Sequence, residues 1–289
     1  MTEQRPLGRR ELRALLESRG ISPRKALGQN FVVDPNTVER VARLAGVGAG
    51  DRVVEVGAGL GSLTVALART GAEVTAVEID HRLVCELPSL VPGTVRVVEA
   101  DALRCDWDEI LATPGGPGAT WVLVANLPYN VATPLVVEVL KAVPVIGRML
   151  VMVQAEVGAR LTAAPSSRAY GAVTVRVAYF ATARVVGRVP PDVFYPRPRV
   201  DSVLVAIERR AQPAVGPEIA SYGEIDELVR AGFGGRRKML RRSLAALIAP
   251  EVFEAATVDA RLRAEQLDVV AWGKLAAWRR LIERSRPPS

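Results

Sequence analysis

A short buried strand that ends in a glycine-rich turn and opens straight into a helix constrains this chain more than any other feature. Val53, Val54 and Val56 flank Glu55, and Gly57-Ala58-Gly59-Leu60-Gly61 follows. Glycines placed there let the main chain pass close beneath a ligand, with a helix N-terminus beyond it. A dinucleotide-binding loop reads G-x-G-x-x-G. Here the third glycine comes one residue early and Ser62 stands in the expected place, which counts against a pyrophosphate-binding NAD or FAD site. Strand-like and helix-like stretches keep alternating around this turn. The spacing predicts a helix over 35–46, capped by Asp34 and begun by Pro35, and another over 60–69. Strands are expected over 53–56, 74–78, 95–99, 121–125 and 149–153, with a flexible Pro/Gly stretch at 114–118. Their continuous apolar runs argue for a parallel sheet covered on both faces. Residues 184–189 and 202–207 flank a Pro-rich stretch and are expected to close one sheet edge as an antiparallel pair. Residues 171–179 stay open: Val173, Val175 and Val177 alternate as in a strand, yet the length allows a helix. After a linker at 211–223, only helices are expected, over 224–232, 236–248, 250–256 and 268–284. The domains read as a basic extension (1–25), an α/β body (26–209) and a helical C-terminal domain (210–289).

Charge adds a second constraint. The net charge of +7 is divided as +4 over residues 1–25, −1 over 26–207 and +4 over 208–289. A near-neutral body between two basic ends fits a protein with polyanion-binding margins, although solvated ends give the same count. With 49% hydrophobic and 24% charged residues the chain is globular in composition. No apolar run reaches the ~18 residues of a membrane span. The polar N-terminus lacks the apolar core of a secretory signal, so a cytoplasmic location is expected. Cys85 and Cys105 sit in no metal spacing, so neither a disulfide nor a zinc site is expected. His81 is the chain's one histidine. It cannot build a metal cluster or a triad by itself, and it reads as a surface residue following a strand.

Five further segments carry chemistry. Glu78 ends the second strand 21 residues after Gly57, the spacing at which an acid in this topology accepts ribose hydroxyls. Asp101 follows the third strand, where it could take an adenine amino group or simply cap a helix. Asn126-Leu127-Pro128-Tyr129 follows the fourth strand. An exocyclic amine on adenine is a poor nucleophile because its lone pair is delocalised into the ring. An Asn oxygen and a main-chain carbonyl held in place by Pro128 can each accept one N–H. The nitrogen then pyramidalises and aims its lone pair at an electrophilic methyl. Tyr129 can stack on the base, worth ~1–3 kcal/mol, and the transfer needs positioning more than a strong base. Phe194, in Val189-Pro190-Pro191-Asp192-Val193-Phe194-Tyr195-Pro196-Arg197-Pro198, is a second stacking candidate or a core plug. Gly28-Gln29-Asn30-Phe31-Val32 could lid a cofactor pocket.

Taken together, these segments closely resemble the ribosomal RNA adenine dimethylase family. KALGQNF, EVGAGLGSLT, AVEID, NLPYNVATP, MVQAEV, VPPDVFYPRPRVDS and FGGRRKMLRRSL all resemble family segments and stand in family order, from about Lys25 to Ser202 and more weakly to Trp278. The resemblance implies a Rossmann-like, seven-stranded S-adenosylmethionine-dependent methyltransferase sheet with a small C-terminal all-helical domain, and a helix at 171–179. It also implies that Asn30, Val32, Gly57, Glu78, Asp101 and Asn126 contact S-adenosylmethionine, which leaves as S-adenosylhomocysteine. Asn126, Pro128, Tyr129 and Phe194 are then the catalytic set. Within the family the chain is most similar to the bacterial small-subunit enzymes, which convert two adjacent adenines in the 3′-terminal hairpin of 16S rRNA to N6,N6-dimethyladenosine during subunit assembly. The expected partner is small-subunit rRNA within an immature subunit, met by a monomer with no metal and no membrane. Arg236, Arg237, Lys238, Arg241 and Arg242, read as one helix, would form a phosphate-binding face, or a merely solvated one. Ala58, Ala155 and Arg242 depart from the family pattern, at Pro, Lys and Asn respectively. The alternatives are a large-subunit rRNA dimethylase conferring macrolide resistance and a small-subunit assembly factor whose methylation is secondary. A DNA adenine methyltransferase fits less well, because its loop normally reads Asp/Asn-Pro-Pro-Tyr/Phe.

Overall fold

The structure, a computed structural model, describes residues 5–112 and 120–285, without the side chains of Tyr129 and Ser285. The expected flexible stretch at 114–118 lies outside the described residues. The chain divides into two compact units, residues 1–158 with 184–208, and residues 159–183 with 209–289.

The first unit is built on a seven-stranded sheet. Its strands are β1 (Arg52–Val56), β2 (Glu73–Glu78), β3 (Arg96–Glu99), β4 (Trp121–Asn126), β5 (Ile146–Gln154), β6 (Ala181–Val189) and β7 (Ser202–Arg209). Their spatial order is β3-β2-β1-β4-β5-β7-β6. The first five run parallel, and β7 returns antiparallel to β5, with Leu150 opposite Ala206 and Gln154 opposite Ser202. Strands β6 and β7 lie side by side at that edge, where their sequence placed them. Strand β4 is buried from Trp121 to Ala125, as a strand covered on both faces must be. Each Val or Leu so buried contributes about 1.5–3 kcal/mol.

The flanking helices follow from local chemistry. Asp34 caps Pro35–Ala45 by accepting from the Thr37 amide at 2.9 Å, and Gly46 closes that helix in the left-handed region. Val38, Val41, Leu63 and Leu67 pack this side against Val122 and Leu150. The Ser62–Ala68 helix begins after Gly61, whose φ of +80° few other residues adopt. A Cβ at Gly61 would lie 2.6 Å from Val91 Cγ1 and 2.9 Å from Leu87 Cδ1. Gly61→Ala is therefore expected to cost about 2–4 kcal/mol, from left-handed strain and overpacking together. Urea unfolding should register it as a lower midpoint at unchanged slope. An unshifted midpoint would show that the turn relaxes freely.

The basic N-terminal segment is more than a solvated tail. It contains a helix, Arg9–Ser18, whose Leu12 and Leu16 are buried with Phe31, Val33, Leu60 and Leu83. Every third or fourth residue of that helix is apolar, a period partly masked by its arginines.

The second unit is helical and has its own core around Trp272, Leu228, Leu240, Leu244 and Leu275. Residues 159–183, read from sequence as part of the α/β body, contribute Tyr170, Val175 and Tyr179 to this core. The open segment forms a helix, Ala172–Phe180, as the family resemblance implies. Its β-branched alternation loses to packing, with the Tyr179 ring edge-on to Phe180 and tilted against Tyr222, centroids 4.8 and 5.3 Å away.

The expected helix at 236–248 does not form. Tyr222–Gly234 ends at paired glycines, residues 235–239 turn, and only Leu240–Ser243 is helical. The cause lies in the main chain. The Leu240 and Arg241 amides donate to the carbonyls of Leu262 (2.7 Å) and Ala260 (3.0 Å), which draws the segment out of helical register.

Candidate active site

Strand order fixes where a ligand can sit. The chain reverses its winding between β1 and β4, and crevices in open α/β sheets lie outside the carboxyl ends of strands at such a point. The residues after β1 (Gly57), at the end of β4 (Asn126) and at the end of β2 (Glu78) all border one cavity there. Asn30, Val32, Asp101, Pro128 and Phe194 border it too. Each described side chain of the sequence-expected catalytic and donor-binding sets thus belongs to a single site. That of Tyr129 lies outside the described residues.

Asn126 has a defined orientation. Its Nδ2 donates to the Asn30 carbonyl at 2.8 Å. A carbonyl can only accept, so the amide nitrogen faces Asn30 and Oδ1 is left as the acceptor. The Asn30 side chain is itself engaged, donating to the Gly28 carbonyl at 3.0 Å. Gly28 has a φ of +62°, and a Cβ there would come 2.7 Å from Pro128 Cβ, so the 28–32 segment lies directly against the Asn126–Pro128 loop. Pro128 caps the Tyr129–Ala142 helix, and its carbonyl accepts from the Val131 and Ala132 amides.

Glu78 is buried and braces the glycine loop. Oε2 accepts from the Gly59 amide at 2.8 Å, and Oε1 accepts from those of Ile79 and Asp80. Burial still outweighs these bonds and raises its pKa above the usual carboxylate range. Asp101 accepts from the Leu103 amide at 3.0 Å, a local turn, while remaining at the cavity wall. Phe194 is 2% exposed and packs among Val32, Val38 and Leu204, so it meets the cavity as an anchored ring. Phe31–Val32 and Phe194–Tyr195 form an antiparallel pair, joining two segments that the sequence presented as unrelated loops.

Sequence reading passed over three residues here. Glu55, in mid-strand, is 1% exposed and borders the cavity, and its Oε2 has no hydrogen-bond partner. Burial pushes it up to about 8, the Thr64 hydroxyl offsets only part of that, and Glu78 adds to it. An acid inside an apolar run expected to be buried on both faces was the available signal. Ser62 Oγ, at the same cavity, also lacks a partner. Asp80 accepts from Gln29 (2.9 Å) and Arg82 (2.7 Å), which holds it near 2 and ties the 24–29 segment to the end of β2.

This strand order, with an Asn at the switch point whose Oδ1 is left as an acceptor and a glycine loop braced by a strand-end acid, is that of an S-adenosylmethionine-dependent methyltransferase. Buried polar atoms without protein partners (Glu55 Oε2, Ser62 Oγ) beside a glycine cradle suit a ligand with a charged amino-acid end. The ribosomal RNA adenine dimethylase model matches residues 20–279, and the chain belongs to that family. It is 46% identical over 289 residues to the ribosomal RNA small subunit methyltransferase A of Leifsonia xyli subsp. xyli, covering 96% of this chain and 100% of that protein. Among solved structures, a dimethyladenosine transferase from Plasmodium falciparum superposes with a TM-score of 0.68 at 24% identity, covering 84% of this chain and 94% of its own. The 23S rRNA methyltransferase ErmE superposes with a TM-score of 0.65 at 26% identity, covering 86% and 98%.

The five expected phosphate-binding residues all lie in the second unit, exposed but not on one helix. Arg236 is partly committed, donating to Glu265 (2.9 Å) and to the Arg168 carbonyl (2.8 Å). Arg237, Lys238, Arg241 and Arg242 occupy a turn and a single helical turn. Among the described residues no helix is long and apolar enough to cross a membrane.

Proposed function

We propose that this chain, as a cytoplasmic monomer acting on an immature small subunit, dimethylates the N6 amines of two adjacent adenines in the 3′-terminal hairpin of its rRNA. The observation that carries the reaction is the Asn126 amide, turned by Asn30 so that Oδ1 is the free acceptor. Oδ1 takes one N–H of the target amine. The second goes to the Leu127 carbonyl, because the Pro128 carbonyl is spent on its own helix. The nitrogen lone pair is thereby directed outward. S-adenosylmethionine supplies the electrophilic methyl, and Glu78, Asp101, Gly57, Asn30 and Val32 hold it. Tyr129 and Phe194 sit near the base. A monomethylated amine keeps one N–H for Oδ1, so a second round is open, and a dimethylated amine has none.

The choice of small-subunit RNA is supported by a 46% identical, full-length relative of that name, against 26% for the 23S enzyme. The assay is incubation with S-adenosylmethionine and under-methylated small subunits, followed by digestion of the RNA. N6,N6-dimethyladenosine from small-subunit RNA is the expected product. Label appearing in large-subunit RNA instead would overturn the assignment.

The exposed cations of the second unit are the proposed phosphate contacts. Reversing Arg237, Lys238 and Arg242 to Glu together should weaken RNA binding and flatten its salt dependence by roughly two to three in log–log slope, about 0.7–0.9 per lost phosphate contact. Filter binding across a salt series measures this, and an unchanged slope removes these residues from the interface.

A further inference from the structure

The chain's single histidine stands between a thiol and a carboxylate. His81 begins the His81–Leu90 helix, and Cys85 lies one turn further along the same exposed face. Cys85 Sγ is 3.5 Å from His81 Nε2, and His81 Nδ1 is 2.7 Å from Glu99 Oε2 at the end of β3. His81, which by itself can build no triad, acquires one partner from its own helix and the other, Glu99, through the sheet. The opposite face of this helix carries Leu83, which borders the donor cavity, and Leu87, so the arrangement lies on the outer side of a wall of that cavity.

We propose that Cys85 is a reactive thiol site, activated by His81 and oriented by Glu99, that forms mixed disulfides with low-molecular-weight disulfides. The imidazole uses its two nitrogens in opposite directions, so the three groups form a line for proton transfer rather than converging on one ion. With Nδ1–H donating to Glu99, Nε2 faces the sulfur as the base. Nε2 is placed to take the thiol proton. Glu99, through its hydrogen bond and its charge, raises the affinity of His81 for that proton, and Asp80 at the helix cap adds to the effect. The proton passes from Sγ to Nε2, and the thiolate attacks one sulfur of the small disulfide. A new S–S bond forms as the old one breaks, and the displaced thiolate leaves with the proton from His81. Cys85 is oxidised and the reagent reduced, with no other oxidant needed.

Cys105 provides a control inside the same chain. It is half-buried beside Asp101 and Asp106, and burial pushes its thiol up, so it lacks both the exposure and the base. The experiment treats the full chain with glutathione disulfide and follows each cysteine by peptide mass. Cys85 is expected to react first. His81→Gln should slow it by on the order of a hundredfold, the low end for loss of a positioned base, and leave Cys105 unchanged. Glu99→Gln should give an intermediate rate. Both changes are on the surface and should leave the thermal midpoint in place. Equal Cys85 rates in wild type and His81→Gln would overturn the proposal, because exposure alone would then account for its reactivity.

Discussion

Asn126→Ala is expected to lower methyl transfer by on the order of 10²–10³-fold, the usual cost of removing one positioned hydrogen-bonding group from a reacting centre. Donor affinity should fall far less, because Gly57, Glu78 and Asp101 border the cavity independently of that side chain. The separation matters. Calorimetry with S-adenosylhomocysteine reads the donor pocket, while single-turnover transfer to under-methylated subunits reads the chemistry. Asn126→Asp sharpens the test. It keeps an acceptor toward the base but sets a carboxylate oxygen against the Asn30 carbonyl, where the amide now donates at 2.8 Å. That variant should also be strongly impaired, and most so at high pH where the acid cannot protonate. Transfer rates within threefold of wild type in both variants would remove Asn126 from the reaction.

Glu55→Gln should change the pH dependence of stability by several kcal/mol. The carboxyl is held at about 8 in the folded protein against 4.5 when free. A raised pKa means that the folded state binds the proton more tightly than the unfolded chain. The resulting stabilisation is complete below about 4.5, declines as pH rises, and is gone above about 8. Each unit of difference corresponds to about 1.4 kcal/mol. A neutral glutamine carries no such dependence, so the stability of wild type should fall relative to the variant between pH 5 and 9. Glu78, whose charge adds to the Glu55 shift, titrates in both proteins, so the difference between them contains the coupling of the two carboxyls as well. Thermal midpoints at several pH values decide the matter, and parallel curves would mean that Glu55 ionises as an exposed acid does.

What could be read without coordinates follows a physical division. Strands β4 and β5 were legible because a parallel strand covered on both faces must be an unbroken apolar run, and Val122-Leu123-Val124-Ala125 is one. The common cavity was legible because the glycine turn, Glu78 and Asn126 each end or follow an expected strand. The Arg236–Ile248 stretch misled because local propensity favours a helix there, and only the distant carbonyls of Ala260 and Leu262 reveal the turn. Residues 159–183 misled similarly, since the partners of Tyr170, Val175 and Tyr179 lie roughly 40 to 100 positions downstream. Phe194 was found but left between two roles, because its burial depends on Val32 and Val38 at the other end of the unit.

The pairing of Phe31–Val32 with Phe194–Tyr195 has a consequence for how the protein is made. One strand of this wall precedes its partner by about 160 residues in the order of synthesis. Such long-range closure is costly in chain entropy and comes late in folding. A nascent chain that stops short of residue 194 can fold much of its sheet yet cannot close this wall. This wall of the cavity is therefore completed only once residue 195 has been made.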